Sequence, residues 1–363
     1  METHVRAVAG ELAAEGDLVE VWTVDRGERL GEGMVDGIVV RYLPTPLPAR
    51  DARALARFLV AAPPTLSAWW RAMRSLRPHV LHVHCFGPNG VYGWSLHRLT
   101  RKPLIVTSHG ETFMDDHGVY DQSALLRTAL RRAIADAAVV TAPTQFVLAD
   151  LRRRFGLVDG GVVPNGIDLQ PPARELVRLP VGRPVVLAVG RVERMKGFDL
   201  LLDAAADSRL EHVQFVIGGD GSQTLALREQ AVQLGIDKRV HFLGQLTPGE
   251  VASAMAAADV VAVPSRNEAF GIVALEAWRS GTSLIGTVHG GMPEFVADGV
   301  DGLLVDPTDV DALAGGLKRI LTEDGLARRL ADAGRGRVPD FSWAAVAQRY
   351  RQLYAGLGEV RGG

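Results

Sequence analysis

Short apolar runs rich in β-branched residues alternate along the chain with longer stretches in which apolar side chains recur at helical spacing. The runs predict strands and the longer stretches predict helices between them. Strands that are apolar throughout are typical of parallel sheets covered by helices on both faces. The predicted strands are residues 18–23, 38–42, 80–84, 104–108, 138–142 and 161–164, and then 185–189, 213–218, 240–243, 260–264, 283–286 and 302–305.

Residues 169–184 interrupt this alternation. They contain four prolines and no periodic apolar pattern, which is typical of a linker. We therefore predict two Rossmann-like α/β domains, at residues 1–168 and 185–340, each of ordinary domain size. The tail, residues 341–363, contains an amphipathic helical pattern at 341–357 that follows the second sheet and must pack elsewhere.

The composition fits a globular chain of two domains, with 363 residues, 47% of them hydrophobic, and a net charge of −2. This near-neutral charge does not indicate a nucleic-acid partner. Cys85 is the single cysteine, which rules out an internal disulfide and a Cys-rich metal centre. We find neither a run of about 20 apolar residues nor a signal-peptide pattern, so we expect a cytoplasmic protein.

The charge is nevertheless uneven. Residues 41–110 contain ten basic residues and one acid, Asp51, with Trp69 and Trp70 among them. One interpretation is a solvated helical face with aromatic residues of the core. The other is a surface for an anionic acceptor or for the inner face of a membrane, since basic residues beside aromatic ones suit lipid interfaces.

The most informative string runs from Pro264 to Glu276, where a predicted buried strand leads through a short loop into a helix. Ligands of open parallel sheets bind beyond the carboxyl ends of the strands. Backbone N–H groups at the helix start, near residues 270–272, would face an anion. Glu268 and Glu276 are eight positions apart, which at about 1.5 Å per residue spans about 12 Å. Two carboxylates could thus hold hydroxyls at the two ends of a nucleotide sugar.

A second string, residues 189–197, follows the predicted strand 185–189 in the same way. It contains Arg191 and Lys196, which could neutralise a diphosphate. A departing diphosphate needs such cations because its charge grows in the transition state. The alternative is a cationic helix start on the surface.

Two further strand ends carry candidate residues. Gly218, Gly219, Asp220 and Gly221 follow one predicted strand, where glycine permits close approach of a ligand such as a nucleotide base. The alternative is an ordinary turn. His109 and Gly110 follow strand 104–108, so His109 would point towards a ligand; the alternative is a structural histidine. His82 and His84 lie on one face of the preceding strand, in the core or at the edge of a cleft.

Other chemistries lack their motifs. The chain has no Walker loop, no Gly-x-Gly-x-x-Gly after a strand and no Gly-x-Ser-x-Gly elbow. Asp309 and Asp311 are the acid pair with the most metal-like setting, but they stand at a helix start, where capping explains them. We therefore expect a reaction without a metal or another cofactor.

Together these strings resemble the retaining family-4 glycosyltransferases of the GT-B fold, along nearly the whole chain. The resemblance rests on residues 190–197, on 218–221, on Pro-Asn-Gly-Ile-Asp at 164–168, on the Glu268-x7-Glu276 string and on Gly-Gly-Met-Pro-Glu at 290–294. It implies two Rossmann-like domains that face each other across a cleft, an acceptor side in the first domain and a nucleotide-sugar site in the second. The final helix would cross back to the first domain.

The family's residue roles carry over where this sequence matches. Arg191 and Lys196 would hold the donor diphosphate, Glu268 the sugar hydroxyls and Glu276 the ribose, with His109 beside the transferred sugar. The remaining assignments are to substrate binding: Gly190, Gly218, Asp220, Leu243, Phe270, Gly271 and Ile272.

The chain departs from the family at its start. Members begin with a strand and a glycine-rich loop, followed by a string such as Gly-Gly-x-Glu-x-His. This chain opens on Met1-Glu2-Thr3-His4, which matches the inside of that string. We therefore expect the first domain to lack its first strand.

The resemblance predicts transfer of a sugar from a UDP-sugar or GDP-sugar to an acceptor hydroxyl with retention of configuration. Two alternatives are a nucleotide-sugar epimerase of the same architecture and a non-catalytic nucleotide-sugar-binding protein. The base, the sugar and the acceptor are not specified by these motifs.

Overall fold

The computed structural model describes residues 2–28, 30–48, 52–114, 119–180 and 184–359. The chain divides into two compact units. Unit 1 comprises Met1–Pro164 together with Trp343–Gly363, and unit 2 comprises Asn165–Ser342. The predicted linker, 169–184, belongs to unit 2 and forms neither helix nor strand in its described residues.

Unit 1 contains two separate sheets among its described residues. A three-stranded sheet has the order β1-β3-β2, in which β3 pairs parallel to β1 and antiparallel to β2. A four-stranded parallel sheet has the order β4-β5-β6-β7. The strands are β1 (Glu20–Val24), β2 (Glu32–Val35), β3 (Ile38–Leu43), β4 (Leu81–His84), β5 (Leu104–Thr107), β6 (Val139–Ala142) and β7 (Gly161–Val162).

Helices pack against these sheets through their apolar side chains. They are α1 (Glu2–Ala14), α2 (Ala52–Leu76), α3 (Pro88–Thr100), α4 (Val119–Gln122), α5 (Ala124–Asp136) and α6 (Gln145–Phe155). The last helix of the chain, α13 (Trp343–Glu359), packs against α1, because Val8 and Leu12 of α1 share one apolar cluster with Val346 and Tyr350. The amphipathic tail therefore completes the core of unit 1.

Unit 2 is one six-stranded parallel sheet of order β10-β9-β8-β11-β12-β13. Apolar clusters lie on both of its faces, as the unbroken apolar strands predict. Its strands are β8 (Val185–Val189), β9 (Gln214–Gly218), β10 (Val240–Gly244), β11 (Val260–Val263), β12 (Ser283–Thr287) and β13 (Leu303–Val305). Its helices are α7 (Phe198–Ala205), α8 (Thr224–Gln233), α9 (Pro248–Ala257), α10 (Ile272–Ser280), α11 (Val310–Thr322) and α12 (Leu326–Arg337).

Some elements differ from the sequence-based prediction. Helix α2 runs through Pro63 and Pro64, although proline removes a backbone donor and usually breaks a helix interior. Strand β2 has no apolar run because most of its residues are exposed at a sheet edge. Asp309 caps α11 by accepting a hydrogen bond from the N–H of Ala312 at 3.0 Å, which confirms the capping interpretation.

Candidate functional site

The candidate donor site of unit 2 is built from loops at one edge of its sheet. Strands β9, β8 and β11 are neighbours and run parallel, so the loops after them emerge side by side. We call residues 190–197 the β8 loop, residues 219–221 the β9 loop and residues 264–271 the β11 loop. The β8 loop lies between the other two.

Backbone hydrogen bonds join the β8 loop to the β9 side. The N–H of Gly190 donates to the carbonyl of Gly218 at 3.0 Å, and the N–H of Val192 donates to that of Asp220 at 3.0 Å. The Asp220 carboxylate accepts from Gly221 N–H at 2.8 Å and from Thr224 Oγ1 at 2.7 Å. Asp220, predicted to bind substrate, thus holds the start of α8 in this structure.

The β8 loop also meets the β11 loop closely. Gly197 has a φ of +66°, and a Cβ there would overlap the carbonyl oxygen of Pro264, so glycine alone fits. The N–H of Arg266 donates to the carbonyl of Met195 at 2.9 Å. The Arg266 guanidinium also donates two hydrogen bonds to the carboxylate of Asp199 in α7, at 2.7 and 2.6 Å.

Two predicted catalytic residues form an ion pair at this junction. Lys196 Nζ lies 2.7 Å from Glu268 Oε2, and Ser265 Oγ donates to the same carboxylate oxygen at 3.0 Å. Glu268 is buried, with 5% of its surface exposed, while about a fifth of the Lys196 side chain is exposed. The sequence predicts both residues at the site, but not that they pair.

The loop after β12 supports Glu268 through its backbone. Glu268 N–H donates to the carbonyl of His289 at 3.2 Å, and Gly291 N–H donates to the carbonyl of Glu268 at 2.7 Å. Gly290 has a φ of +107°, and a Cβ there would overlap the Glu268 backbone. The Gly-Gly-Met-Pro-Glu string therefore owes its first glycine to the close approach of Glu268.

Helix α10 begins at Ile272, after Gly271 in the left-handed conformation. Glu268 therefore precedes the helix and Glu276 lies inside it, as the sequence predicts. The span of about 12 Å between them stays a prediction. Burial raises the pKa of Glu276 in the second turn, and the charge of Arg279 partly opposes this. The side chain of Phe270 is buried and stacks on Phe295 at 4.4 Å between centroids, so its backbone alone can face a ligand.

The remaining predicted residues of this unit lie near the same edge. Arg191 is exposed at the start of the β8 loop, and Ile272 is exposed at the start of α10. Leu243 is partly buried near the end of β10, in the apolar cluster on one face of the sheet. Gly218 ends β9 and receives the hydrogen bond from Gly190.

Unit 1 contains a group of four histidines, which we call the histidine cluster: His4, His82, His84 and His109. His84 Nδ1 and His109 Nε2 are 3.2 Å apart, and the rings of His82 and His84 are 4.0 Å apart between centroids. His82 also hydrogen-bonds Tyr354 of α13 and Thr107, each at 2.7 Å. Burial lowers the pKa of His82 to about 3 and that of His84 well below its usual value, so both rings are neutral.

Sequence reasoning predicts His109 at a site but misses its surroundings. His4 comes from one end of the chain, and from the other come Tyr354 and Tyr350 of α13, whose ring lies 5.0 Å from that of His82 between centroids. No local pattern brings these residues together. Residues at the carboxyl ends of neighbouring parallel strands lie side by side. This rule, applied to His84 at the end of β4 and to His109 after β5, predicts that the two histidines are neighbours. Within the described residues, His4, His84 and His109 are also the group that could hold a metal, with ligand atoms within 4.8 Å of one another.

Comparison with models of known protein families gives one match for each half of the chain. A family model described as Glycosyltransferase Family 4 matches residues 1–171, and one described as Glycosyl transferases group 1 matches residues 171–337. Two α/β units, each built on a parallel sheet with these strand-end loops, define the class: a glycosyltransferase of the GT-B fold.

Curated relatives narrow the class. The D-inositol 3-phosphate glycosyltransferase of Corynebacterium glutamicum is 30% identical, over 98% of this chain and 91% of the relative. The protein of the same name from Xylanimonas cellulosilytica is 31% identical, over 98% and 91%. The chain belongs to glycosyltransferase family 4.

Solved structures show the same fold. Sucrose-phosphate synthase from Thermosynechococcus elongatus superposes with a TM-score of 0.81 at 26% identity, over 99% of this chain and 93% of that one. Anabaena HepE, in complex with UDP and glucose, superposes with a TM-score of 0.74 at 20% identity, over 98% and 95%.

Proposed function

We propose that this protein transfers a sugar from a UDP-sugar or GDP-sugar to an acceptor hydroxyl, with retention of the anomeric configuration. The observation that carries the proposal is the Lys196–Glu268 pair at the carboxyl edge of the unit 2 sheet, in a site whose β8 loop also contains the exposed Arg191. A cation and a carboxylate at this place suit a diphosphate and the hydroxyls of its sugar. The complex of HepE with UDP and glucose supports the choice of donor class.

The proposed reaction takes place on one face of the sugar. The bond between the anomeric carbon and the diphosphate oxygen breaks, and a bond from that carbon to the acceptor oxygen forms on the same face. The acceptor proton passes to the departing phosphate. Arg191 and Lys196 stabilise the charge that grows on the diphosphate, which is why we expect no metal or other cofactor. His109 lies beside the transferred sugar, and Glu276 holds the ribose.

The test is an assay of the purified chain with UDP-sugars and GDP-sugars, each with and without an acceptor. D-inositol 3-phosphate is the first acceptor to include, because the curated relatives carry it in their names. We expect release of UDP or GDP that requires acceptor, and NMR of the product should show the anomeric configuration of the donor. Donor conversion without acceptor would indicate the epimerase alternative, and binding without release of nucleotide would indicate a binding protein. An inverted product would refute retention.

We also propose that α2 contacts an anionic membrane surface. Arg53, Arg57, Arg71 and Arg74 are exposed on it, and so are Leu59, Val60, Leu66 and Trp70. Trp69 is buried and stacks on Tyr92 at 5.2 Å between centroids, so only the second tryptophan can face lipid. Arg41 is paired with Glu20 at 2.8 Å and does not add to this surface. Within the described ranges, none of the helices combines the length and the apolar character that a transmembrane span requires.

Sedimentation with vesicles tests the membrane proposal. We expect binding to vesicles that contain phosphatidylglycerol, weak binding to phosphatidylcholine alone, and loss of binding in Leu59→Ser/Trp70→Ser. Exposed Leu225→Ser/Val232→Ser on α8 of unit 2 is the matched control. Equal binding of all three proteins to the anionic vesicles would refute the assignment to α2.

A further inference from the structure

Glu111 stands in the loop after β5, two residues beyond His109, and neither its carboxylate nor its place in the sequence belongs to the motifs discussed above. Burial raises the pKa of this carboxyl, and the hydrogen bonds that it accepts oppose the rise. A buried carboxylate depends on its hydrogen-bond donors for stabilisation. The donors of Glu111 therefore indicate which part of the structure it supports.

The Glu111 carboxylate accepts hydrogen bonds from two neighbouring loops. Oε2 accepts from His109 N–H at 2.7 Å and from Ser108 Oγ at 3.0 Å, both at the end of β5. Oε1 accepts from Phe86 N–H at 3.1 Å, and the Cys85 thiol lies 3.5 Å from Oε2, both at the end of β4. One side chain therefore joins the loops that follow two adjacent strands.

The joined backbone is one that needs support. Cys85 has a φ of +48°, in the left-handed region that non-glycine residues rarely adopt because it is sterically strained. Its neighbours in the chain are His84 and Phe86, and Phe86 N–H is held by Glu111. The two rings that approach within 3.2 Å, those of His84 and His109, thus stand on backbone segments that the same carboxylate fixes.

We propose that Glu111 is a positioning residue that sets the orientation of the His109 imidazole for sugar transfer. This proposal rests on the role given to His109 in the proposed function. In this proposal Glu111 contacts neither the anomeric carbon of the sugar nor the acceptor oxygen. It acts by holding the main chain of His109 against the end of β4, and a misplacement of about 1 Å in such a group can cost on the order of 100-fold in rate.

Glu111→Gln tests the proposal with a side chain of the same size. Its amide puts an N–H against backbone N–H and hydroxyl donors, so at least one of the hydrogen bonds is lost whichever way the amide turns. We expect kcat to fall about 10- to 100-fold, with the donor KM within twofold of the wild type, because the donor-binding residues belong to unit 2. Asp136→Asn is the matched control: its carboxylate accepts from Trp94 Nε1 at 2.8 Å in the same unit, at the end of α5 just before β6 rather than in the loops after β4 and β5, and its kcat should not change.

A spectroscopic readout separates positioning from stability. Ring ¹⁵N and ¹³C resonances of His109, assigned by comparison with His109→Asn, should shift in Glu111→Gln and stay in place in Asp136→Asn. Unchanged His109 resonances in Glu111→Gln would overturn the proposal, whatever happens to the rate, and so would a wild-type kcat. If the wild type transfers no sugar at all, the proposed function fails, and the resonances still decide whether Glu111 orients His109.

Discussion

The Lys196–Glu268 pair allows a prediction in which one variant recovers thermal stability without recovering activity. Lys196→Met removes the charge and keeps an unbranched side chain of similar length. The variant leaves the Glu268 carboxylate buried, with Ser265 Oγ at 3.0 Å as its remaining side-chain donor among the described contacts. Lys196→Met/Glu268→Gln removes both charges and leaves an amide oxygen that Ser265 can still reach.

The geometry sets the expected magnitude. At the observed 2.7 Å, two unit charges attract by roughly 6 kcal/mol in an effective dielectric constant of 20. Desolvation offsets much of this attraction, and removing one partner of a buried pair costs about 3–5 kcal/mol. Because about a fifth of the Lys196 side chain reaches solvent, we take the lower end, about 3 kcal/mol. In a domain of this size that corresponds to roughly 6–12 °C in Tm.

The measurements are thermal unfolding of the full chain and release of nucleoside diphosphate. We expect Lys196→Met to lower Tm by the amount above, and the double variant to recover at least half of it. Exposed Lys238→Met, in the same unit, should change stability by less than about 0.5 kcal/mol. Both variants at position 196 should lose transfer by about 100- to 1000-fold, as when one preorganised donor to a growing negative charge is removed.

Two results would refute this reasoning. If Lys196→Met unfolds at the wild-type temperature, the pair does not stabilise unit 2 in solution. If the double variant recovers activity along with stability, the loss in the single variant came from unfolding, and Lys196 has no part in the reaction.

Three further predictions come from other contacts. Gly290→Ala should lower Tm and activity more than Gly299→Ala does. Both glycines have positive φ, but only at Gly290 would a Cβ meet backbone atoms, and parallel thermal scans compare them. Glu276→Gln should weaken donor binding yet raise stability at pH 7. The raised pKa means that the folded state disfavours the ionised carboxyl, so unfolding scans should show the difference shrinking as pH falls towards and below 4.5. EDTA should leave the rate unchanged, and added Zn²⁺ should inhibit through the histidine cluster. His79→Ala, on an exposed histidine outside the cluster, should be inhibited equally.

The sheet of unit 2 could be predicted almost strand by strand, because each of its strands is a short apolar run bounded by glycine, proline or polar residues. Residues 213–218 are predicted and Gln214–Gly218 is found, and 283–286 becomes Ser283–Thr287. Unit 1 was harder to predict, because its edge strand β2 is exposed and its helix α2 contains Pro63 and Pro64. Both elements depend on tertiary contacts that local patterns do not record.

The candidate site, too, has residues that could be predicted from the sequence and contacts that could not. Motifs that follow a strand give the location of Arg191, Lys196 and Glu268, because the carboxyl edge of a parallel sheet collects such loops. Partners across loops are invisible to this rule: nothing in the spacing of residues 196 and 268 predicts a 2.7 Å pair. Glu111 is missed for a related reason: the four donors described above lie in the loops after β4 and β5, and three of them are backbone N–H or thiol groups rather than parts of a motif.

The order of strands explains how Arg191 and Lys196, which both belong to the β8 loop, lie towards different neighbouring loops. β8 is hydrogen-bonded to β9 on one side and to β11 on the other, so its loop alone of the three touches both of the others. Arg191 lies at the end that is joined to the β9 side, and Lys196 at the end that is joined to the β11 loop. A diphosphate laid along this edge would therefore meet a cation at each end, whereas two cations on either neighbouring loop would reach one end only. Exchanging the positions of these charges, for example by Arg191→Met with a new lysine in the β9 loop, should consequently fail to restore transfer even if the net charge of the site is kept.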